Sequence, residues 1–122
     1  GHAYFEANKS KLKLLAIDNG NGKPVAPTSV DIIRGGTYSP LSRPLFIYIN
    51  AESYKRPEVR AFAEFLLDKS KEIVENPRVG YATLSEEVIK LAKERVKSGK
   101  RGSAMATAPK GSTDLKAIFS AN

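Results

Sequence analysis

Few side chains in this chain have the types and spacing that chemistry needs. His2 is the sole histidine and sits at the extreme N-terminus. A nucleophile relay would require it to be held beside a serine and an orienting acid, which a terminal residue rarely manages. With one histidine and no cysteine, a metal site built from His and Cys is excluded by count, and so are a thiolate nucleophile and a disulfide framework. The carboxylates pair as Asp68 with Glu72 and Glu86 with Glu87. On helices these spacings read as solvated faces rather than as a general acid and base. The residues therefore predict no catalytic group, no metal, no cofactor and no enzyme.

Binding chemistry has more to work with. Lys90, Lys93, Arg95, Lys97, Lys100 and Arg101 form the densest basic cluster. Nucleic-acid binding would want aromatic side chains interleaved with that charge, or a recognisable reading module. Neither is present, so the cluster reads as a solvated helix face, and a small basic nucleic-acid-binding module stands as the alternative. Gly111-Ser112-Thr113-Asp114 would present hydroxyls and backbone N–H groups to an anion, but the pattern reads first as an ordinary helix cap. Thr37, Tyr38, Ser39, Ser42 and Arg43 are a basic, hydroxyl-bearing approach to an apolar run. Such approaches often line clefts in α/β proteins, which makes this stretch a candidate anion cleft.

These residues depend on the elements around them. Leu45 to Ile49 is a continuous apolar run bounded by turn residues, the pattern of a strand buried on both faces. Leu12, Leu14, Leu15 and Ile17 suggest another strand after a short helix starting at Tyr4. Asp18 to Pro24 is a turn by composition. A short helix is expected from Thr28, a candidate N-cap, to Gly35-Gly36. Pro57 opens a helix whose apolar positions Val59, Phe62, Ala63, Leu66, Ile73 and Val74 continue to about Glu75, with Pro77 as its stop. Thr83 or Ser85 caps the next, with Val88, Leu91, Ala92 and Val96 on its apolar face and Gly99 at its end. A tail rich in Lys, Gly, Ser and Ala follows, with a last short helix over Asp114 to Phe119.

A length of 122 residues sets one domain, and 41% hydrophobic with 27% charged residues is ordinary for a folded chain. A net charge of +7 fits nucleic acid, an acidic membrane surface or an anionic ligand, but basic and acidic residues are interspersed, as on a surface that keeps a protein soluble. No apolar run approaches the roughly 20 residues that cross a bilayer. Gly-His-Ala-Tyr-Phe lacks the basic and apolar regions of a signal peptide, which leaves a cytosolic chain or one whose targeting segment lies elsewhere.

At the Tyr38 to Arg43 approach the pattern becomes familiar. Gly36-Thr37-Tyr38-Ser39-Pro40-Leu41-Ser42-Arg43-Pro44-Leu45-Phe46-Ile47-Tyr48-Ile49 resembles a segment of the periplasmic phosphate-binding proteins of ABC transporters, which are type 2 periplasmic binding proteins. Ser39 is an insertion relative to that pattern. Ala3-Tyr4-Phe5-Glu6-Ala7-Asn8, Val25-Ala26-Pro27-Thr28, Lys55-Arg56-Pro57-Glu58-Val59, Val79-Gly80-Tyr81 with Leu84, and Gly102-Ser103-Ala104 resemble further segments of the same family in the same order.

The resemblance implies an α/β fold, part of a two-lobed periplasmic-binding-protein-like architecture with few strands flanked by helices. It implies that this chain is the C-terminal part of such a protein. Residues 1–41 would close the second lobe, 42–44 make a hinge crossing, 45–99 return to the first lobe, and 100–122 form a tail with a short helix. The whole protein would capture inorganic phosphate in the periplasm, or elsewhere outside the cytoplasm, and deliver it to an ABC permease. The family's main phosphate ligands lie upstream of the matching region, and its Ser-Gly-Thr ligand motif is absent here. No ligand is carried over, and Tyr38, Ser42 and Arg43 stay as cleft-wall candidates by position. A lone Leu45–Ile49 strand is expected to favour a homo-oligomer or strand exchange.

Overall fold

The computed structural model describes residues 2–109 and 112–121. Lys110 of the tail and Gly111 of the Gly111–Asp114 pattern lie outside the described residues. The elements are helices: α1 (His2–Ala7), α2 (Val30–Arg34), α3 (Pro57–Asp68), α4 (Ser70–Val74), α5 (Glu86–Ser98) and α6 (Leu115–Ser120), with a 3₁₀ turn at Ser53–Lys55 before α3.

The α/β expectation is overturned. Among the described residues there is no sheet, only an isolated antiparallel bridge between Ile17 and Val25. Ile17 and Val25 exchange N–H···O bonds of 2.8 and 2.9 Å across the 18–24 turn. That turn is wound on the Asp18 carboxylate, whose Oδ1 accepts from the N–H groups of Gly20, Asn21 and Gly22. Leu45 to Ile49 lies outside any helix or strand, with Leu45 at 71%, Ile47 at 65% and Tyr48 at 76% exposed. The physical reason is pairing: a strand needs a neighbour for its backbone groups, and the second strand-like run, Leu12 to Ile17, contributes one bridged residue. The two-lobed, sheet-based architecture therefore has no counterpart in the described structure.

The helices form where the local signals are strong. α5 has Ser85 as its N-cap, with Oγ accepting from Val88 N–H at 3.4 Å. Glu86 and Glu87 lie in its first turn and Arg95 and Lys97 in its last, which matches the helix dipole. Gly99 ends it in the left-handed conformation at φ +63°, where a residue without Cβ is favoured. The Tyr54 hydroxyl reaches back to the Val96 carbonyl near the same end. α3 opens on Pro57, but the helix expected to run to Glu75 breaks at Lys69 (φ −96°, ψ 7°), and α4 is a separate turn-and-a-half. At α2 the cap is Ser29 rather than Thr28, its Oγ accepting from Ile32 N–H at 3.4 Å. Asp114 caps α6 through Oδ1 to Ala117 N–H at 3.0 Å.

α5 packs against both α3 and α6. Among the described residues, the buried hydrophobic side chains are Ala63 on α3, Val88 on α5, Ile118 on α6 and Ala104 in the turn after α5, with Pro27 buried before α2. That core is thin. The chain exposes 8864 Å², against about 6,500 Å² for a compact monomer of this mass. Phe62, Phe65, Leu15, Leu41 and Tyr4 are exposed along with the 45–48 segment.

Candidate functional site

The cleft-wall candidates sit on the turn that follows α2. Gly35 and Gly36 end the helix, Gly36 with φ +68°. A Cβ at Gly36 would lie 3.2 Å from Thr113 Oγ1. Gly36, just before the 37–43 approach, thus stands against Thr113 of the 112–114 cap, far away in sequence. Thr37 Oγ1 donates to the Ile32 carbonyl at 3.1 Å, and Tyr38 OH reaches the Leu15 carbonyl at 3.5 Å. Ser42 N–H donates to the Tyr38 carbonyl at 2.8 Å, closing the Tyr38–Leu41 turn. The Ser42 hydroxyl is buried without a hydrogen-bond partner, and Arg43 is exposed. The arrangement brings one unsatisfied hydroxyl next to one solvated cation in the sequence; it holds no acid–base couple.

Two depressions among the described residues lie elsewhere. One of about 520 Å³ is lined by Asp68, Lys69, Lys71, Glu72, Glu75 and Asn76. The other, about 450 Å³, lies between α2, the α3–α4 junction and the start of α5, and includes Arg34, Thr83, Lys90 and Lys93. Neither is lined by Tyr38, Ser42 or Arg43.

Arg34 is the residue that sequence reasoning passed over. Its guanidinium bonds Asp31 Oδ1 at 2.8 Å and pairs with Glu75, and its Nε donates to the Thr83 carbonyl at 3.1 Å. Thr83 N–H in turn approaches Glu75 Oε1 at 3.4 Å. Thr83 is buried, and its hydroxyl has no partner. The signal available in sequence was the Asp31–Arg34 spacing of a helix pair; nothing local pointed to Glu75. With its donors engaged by protein oxygens, Arg34 clasps three segments together instead of presenting a cation to a ligand.

The basic cluster is likewise partly engaged. Lys93 pairs with Asp68 across α5 and α3, and Arg95 Nη2 binds the carbonyls of Arg101 and Gly102 at 3.2 and 2.8 Å, folding the tail onto α5. The hydrogen bond from Lys93, reinforced by its charge, holds the Asp68 carboxyl below its ordinary value of 3.8. On the other side of α5, Glu87 pairs with Lys116 of α6 at 2.8 Å. The same hydrogen bond and charge raise the Lys116 ammonium above its ordinary 10.5. Of the carboxylates singled out in the sequence, Glu72 pairs with Lys69 at 2.9 Å. His2 Nε2 lies 3.7 Å from Glu6. Among the described residues, no three His, Cys, Asp or Glu side chains gather as a metal site would require.

No protein-family model matches the chain, and no solved structure matches it. Curated proteins do. Over 106 residues it is 41% identical to Protein SphX of Synechococcus elongatus, a match covering 87% of this chain and 31% of that protein. It is 40% identical over 103 residues to Protein SphX of Synechocystis sp., covering 84% of this chain and 30% of that one. It is 37% identical over 91 residues to the Phosphate-binding protein PstS of Staphylococcus haemolyticus, covering 74% and 28%. The chain spans about 30% of the length of these relatives. Along most of its own length, therefore, this chain is similar to under a third of proteins named SphX and of PstS proteins named as phosphate-binding.

Proposed function

We propose that this chain is the C-terminal part of a binding protein that captures inorganic phosphate outside the cytoplasm and delivers it to an ABC permease, with no catalytic step. The observation that carries this reading is the similarity over most of the chain to SphX and to PstS, whose name states phosphate binding. In this reading residues 42–44 are a hinge between 1–41 and 45–99, and 100–122 are a tail. What supports a crossing near this point is that Arg43 to Ile49 form no backbone hydrogen bond with other described residues. Tyr38, Ser42 and Arg43 line the cleft; the unpartnered Ser42 hydroxyl is a donor that a bound oxyanion would satisfy.

One cation and two hydroxyls are too few donors for a dehydrated phosphate, which needs many donors and, for its proton, an acceptor. The 122-residue chain by itself is therefore expected to bind phosphate weakly or not at all, and the native gene product to have a mass well above 13.3 kDa. Calorimetric titration with inorganic phosphate tests the first, and the intact mass of the native gene product the second. Tight binding by the longer gene product and little heat with the 122-residue chain agree with the reading. Micromolar or tighter affinity for the 122-residue chain, or no phosphate binding by the longer product, overturns it.

A further inference from the structure

The 18–24 turn carries both Asn-Gly pairs of the chain, Asn19-Gly20 and Asn21-Gly22, and the proposed function uses neither. In such a pair the glycine backbone nitrogen can attack the asparagine Cγ, and a residue without Cβ leaves that nitrogen open to do so. The whole turn is exposed. Gly22 has φ +73° and nothing within 4 Å of where a Cβ would stand, so the fold leaves room around it. Two further groups bear on Asn21. Its Oδ1 accepts from Lys23 N–H at 2.9 Å. That oxygen takes the negative charge when Cγ is attacked, and a donor already aimed at it acts as an oxyanion hole does. Gly22 N–H donates to Asp18 Oδ1 at 3.1 Å, which puts a carboxylate within reach of the proton that the attacking nitrogen must lose. Gly20 N–H reaches the same oxygen at 2.9 Å, so the proton acceptor is shared. Among the described residues, however, no hydrogen bond is donated to the Asn19 side chain. Of the two asparagines, Asn21 is the one with an oxyanion donor in place.

We propose that Asn21 is a self-modification site, converting through a cyclic imide with Gly22 to an aspartate or isoaspartate at position 21, in preference to Asn19. The Gly22 nitrogen gives its proton to the Asp18 carboxylate and forms a bond to Asn21 Cγ. The Cγ–Nδ2 bond breaks, and Nδ2 leaves as ammonia, taking that proton with it. Water then opens the imide at either carbonyl. Cleavage of the new N–Cγ bond leaves an aspartate in an unaltered main chain. Cleavage of the bond between the Gly22 nitrogen and the Asn21 carbonyl carbon routes the main chain through the side chain, as isoaspartate. The net exchange is an amide and water for a carboxyl group and ammonia, with no oxidation. Either product adds a carboxylate beside Asp18 and lowers the net charge of +7 by one. Isoaspartate also adds a backbone carbon between Ile17 and Val25, whose paired N–H···O bonds close the turn.

Peptide mapping by mass spectrometry tests this on the 122-residue chain incubated at neutral and mildly alkaline pH, with fragment ions assigning each product to position 19 or 21. The folded chain is expected to convert Asn21 about five- to tenfold faster than Asn19, the rate equivalent of one hydrogen bond to the developing oxyanion. In urea, where the bonds of the turn are gone, the two rates are expected to converge. Asp18→Asn keeps a side-chain oxygen in the turn but removes the carboxylate, and is expected to slow conversion at position 21 several-fold. Equal or faster conversion of Asn19 in the folded chain overturns the proposal. So does a preference for Asn21 that persists in urea, which would come from the local sequence alone. An Asp18→Asn chain that converts as fast or faster overturns it too, because the bond to Asp18 would then guard the Gly22 nitrogen. Phosphate enters none of these measurements, so this inference and the proposed function fail independently.

Discussion

Arg34 and Glu75 are 41 residues apart in sequence, yet their side chains pair directly and both reach the backbone of Thr83. This clasp ties the end of α2 to the end of α4 and to the segment leading into α5. Both side chains are largely shielded, with Arg34 at 30% and Glu75 at 26% exposed. Arg34→Ala removes a charged partner from Glu75 and a donor from the Thr83 carbonyl. It is expected to lower stability by about 1–3 kcal/mol, a loss typical of hydrogen bonds to charged groups. Urea unfolding of Arg34→Ala, Glu75→Ala and the double variant checks it. A coupling energy near zero would mean that the pair is not formed in solution.

Asp68 gives the fold an acid dependence. Lys93 holds its carboxyl below 3.8, so between the folded and unfolded values the unfolded chain binds more protons. The stabilisation is complete above about pH 4 and is lost as pH falls through the depressed folded value. Because the pair is exposed, salt screens it. Asp68→Asn is expected to flatten stability against pH in that acid window and to leave the alkaline side unchanged. A carboxyl titration by NMR that gives Asp68 an ordinary value would contradict it.

Lys116 makes the complementary statement at high pH. Glu87 raises its ammonium above 10.5, so its contribution to docking α6 on α5 is complete below about pH 10 and is lost as pH rises through the folded value. Glu87→Gln is expected to bring forward the loss of α6 amide protection as pH rises. Hydrogen exchange at Ile118, followed against pH in the parent and the variant, is the measurement.

Gly80 is the backbone position least open to change. It has φ +65°, and a Cβ there would fall 2.3 Å from Ala3 Cβ and 3.0 Å from its Cα. Gly80→Ala meets both the left-handed strain and a clash with backbone that α1 cannot relieve without shifting. The expected cost is about 2–5 kcal/mol, the sum of a left-handed penalty and an overpacking penalty. Thermal unfolding checks this, with Gly102→Ala as control: it shares a positive φ of +80° but meets nothing within 4 Å.

Ser85 is a local cap whose removal should be felt only through α5. Ser85→Ala is expected to cost about 1 kcal/mol, and Ser85→Asp to retain most of the stability because a carboxylate also suits the N-terminus. Denaturant midpoints for the two variants separate capping from any packing role of Ser85.

The sequence by itself determined the elements whose causes are local. Ser85, Glu86 and Gly99 bound α5, Pro57 opens α3, and Asp18 with its glycines makes the 18–24 turn, because caps, a fixed φ and positive-φ glycines act within a few residues. Tyr38, Ser42 and Arg43 were legible as hydroxyls and a cation beside an apolar run. That Ser42 would be left without a partner, and that Thr113 would stand against Gly36, was not. The apolar pattern of Leu45 to Ile49 was read correctly as chemistry and wrongly as structure: its composition favours a strand, but a strand exists only when another backbone accepts its hydrogen bonds. Tertiary structure also decided that Arg34 finds Glu75, and that α3 breaks at Lys69 where Asp68 turns toward Lys93. Those outcomes depend on which distant groups come within reach, and the cost of leaving polar groups unpaired then selects among them.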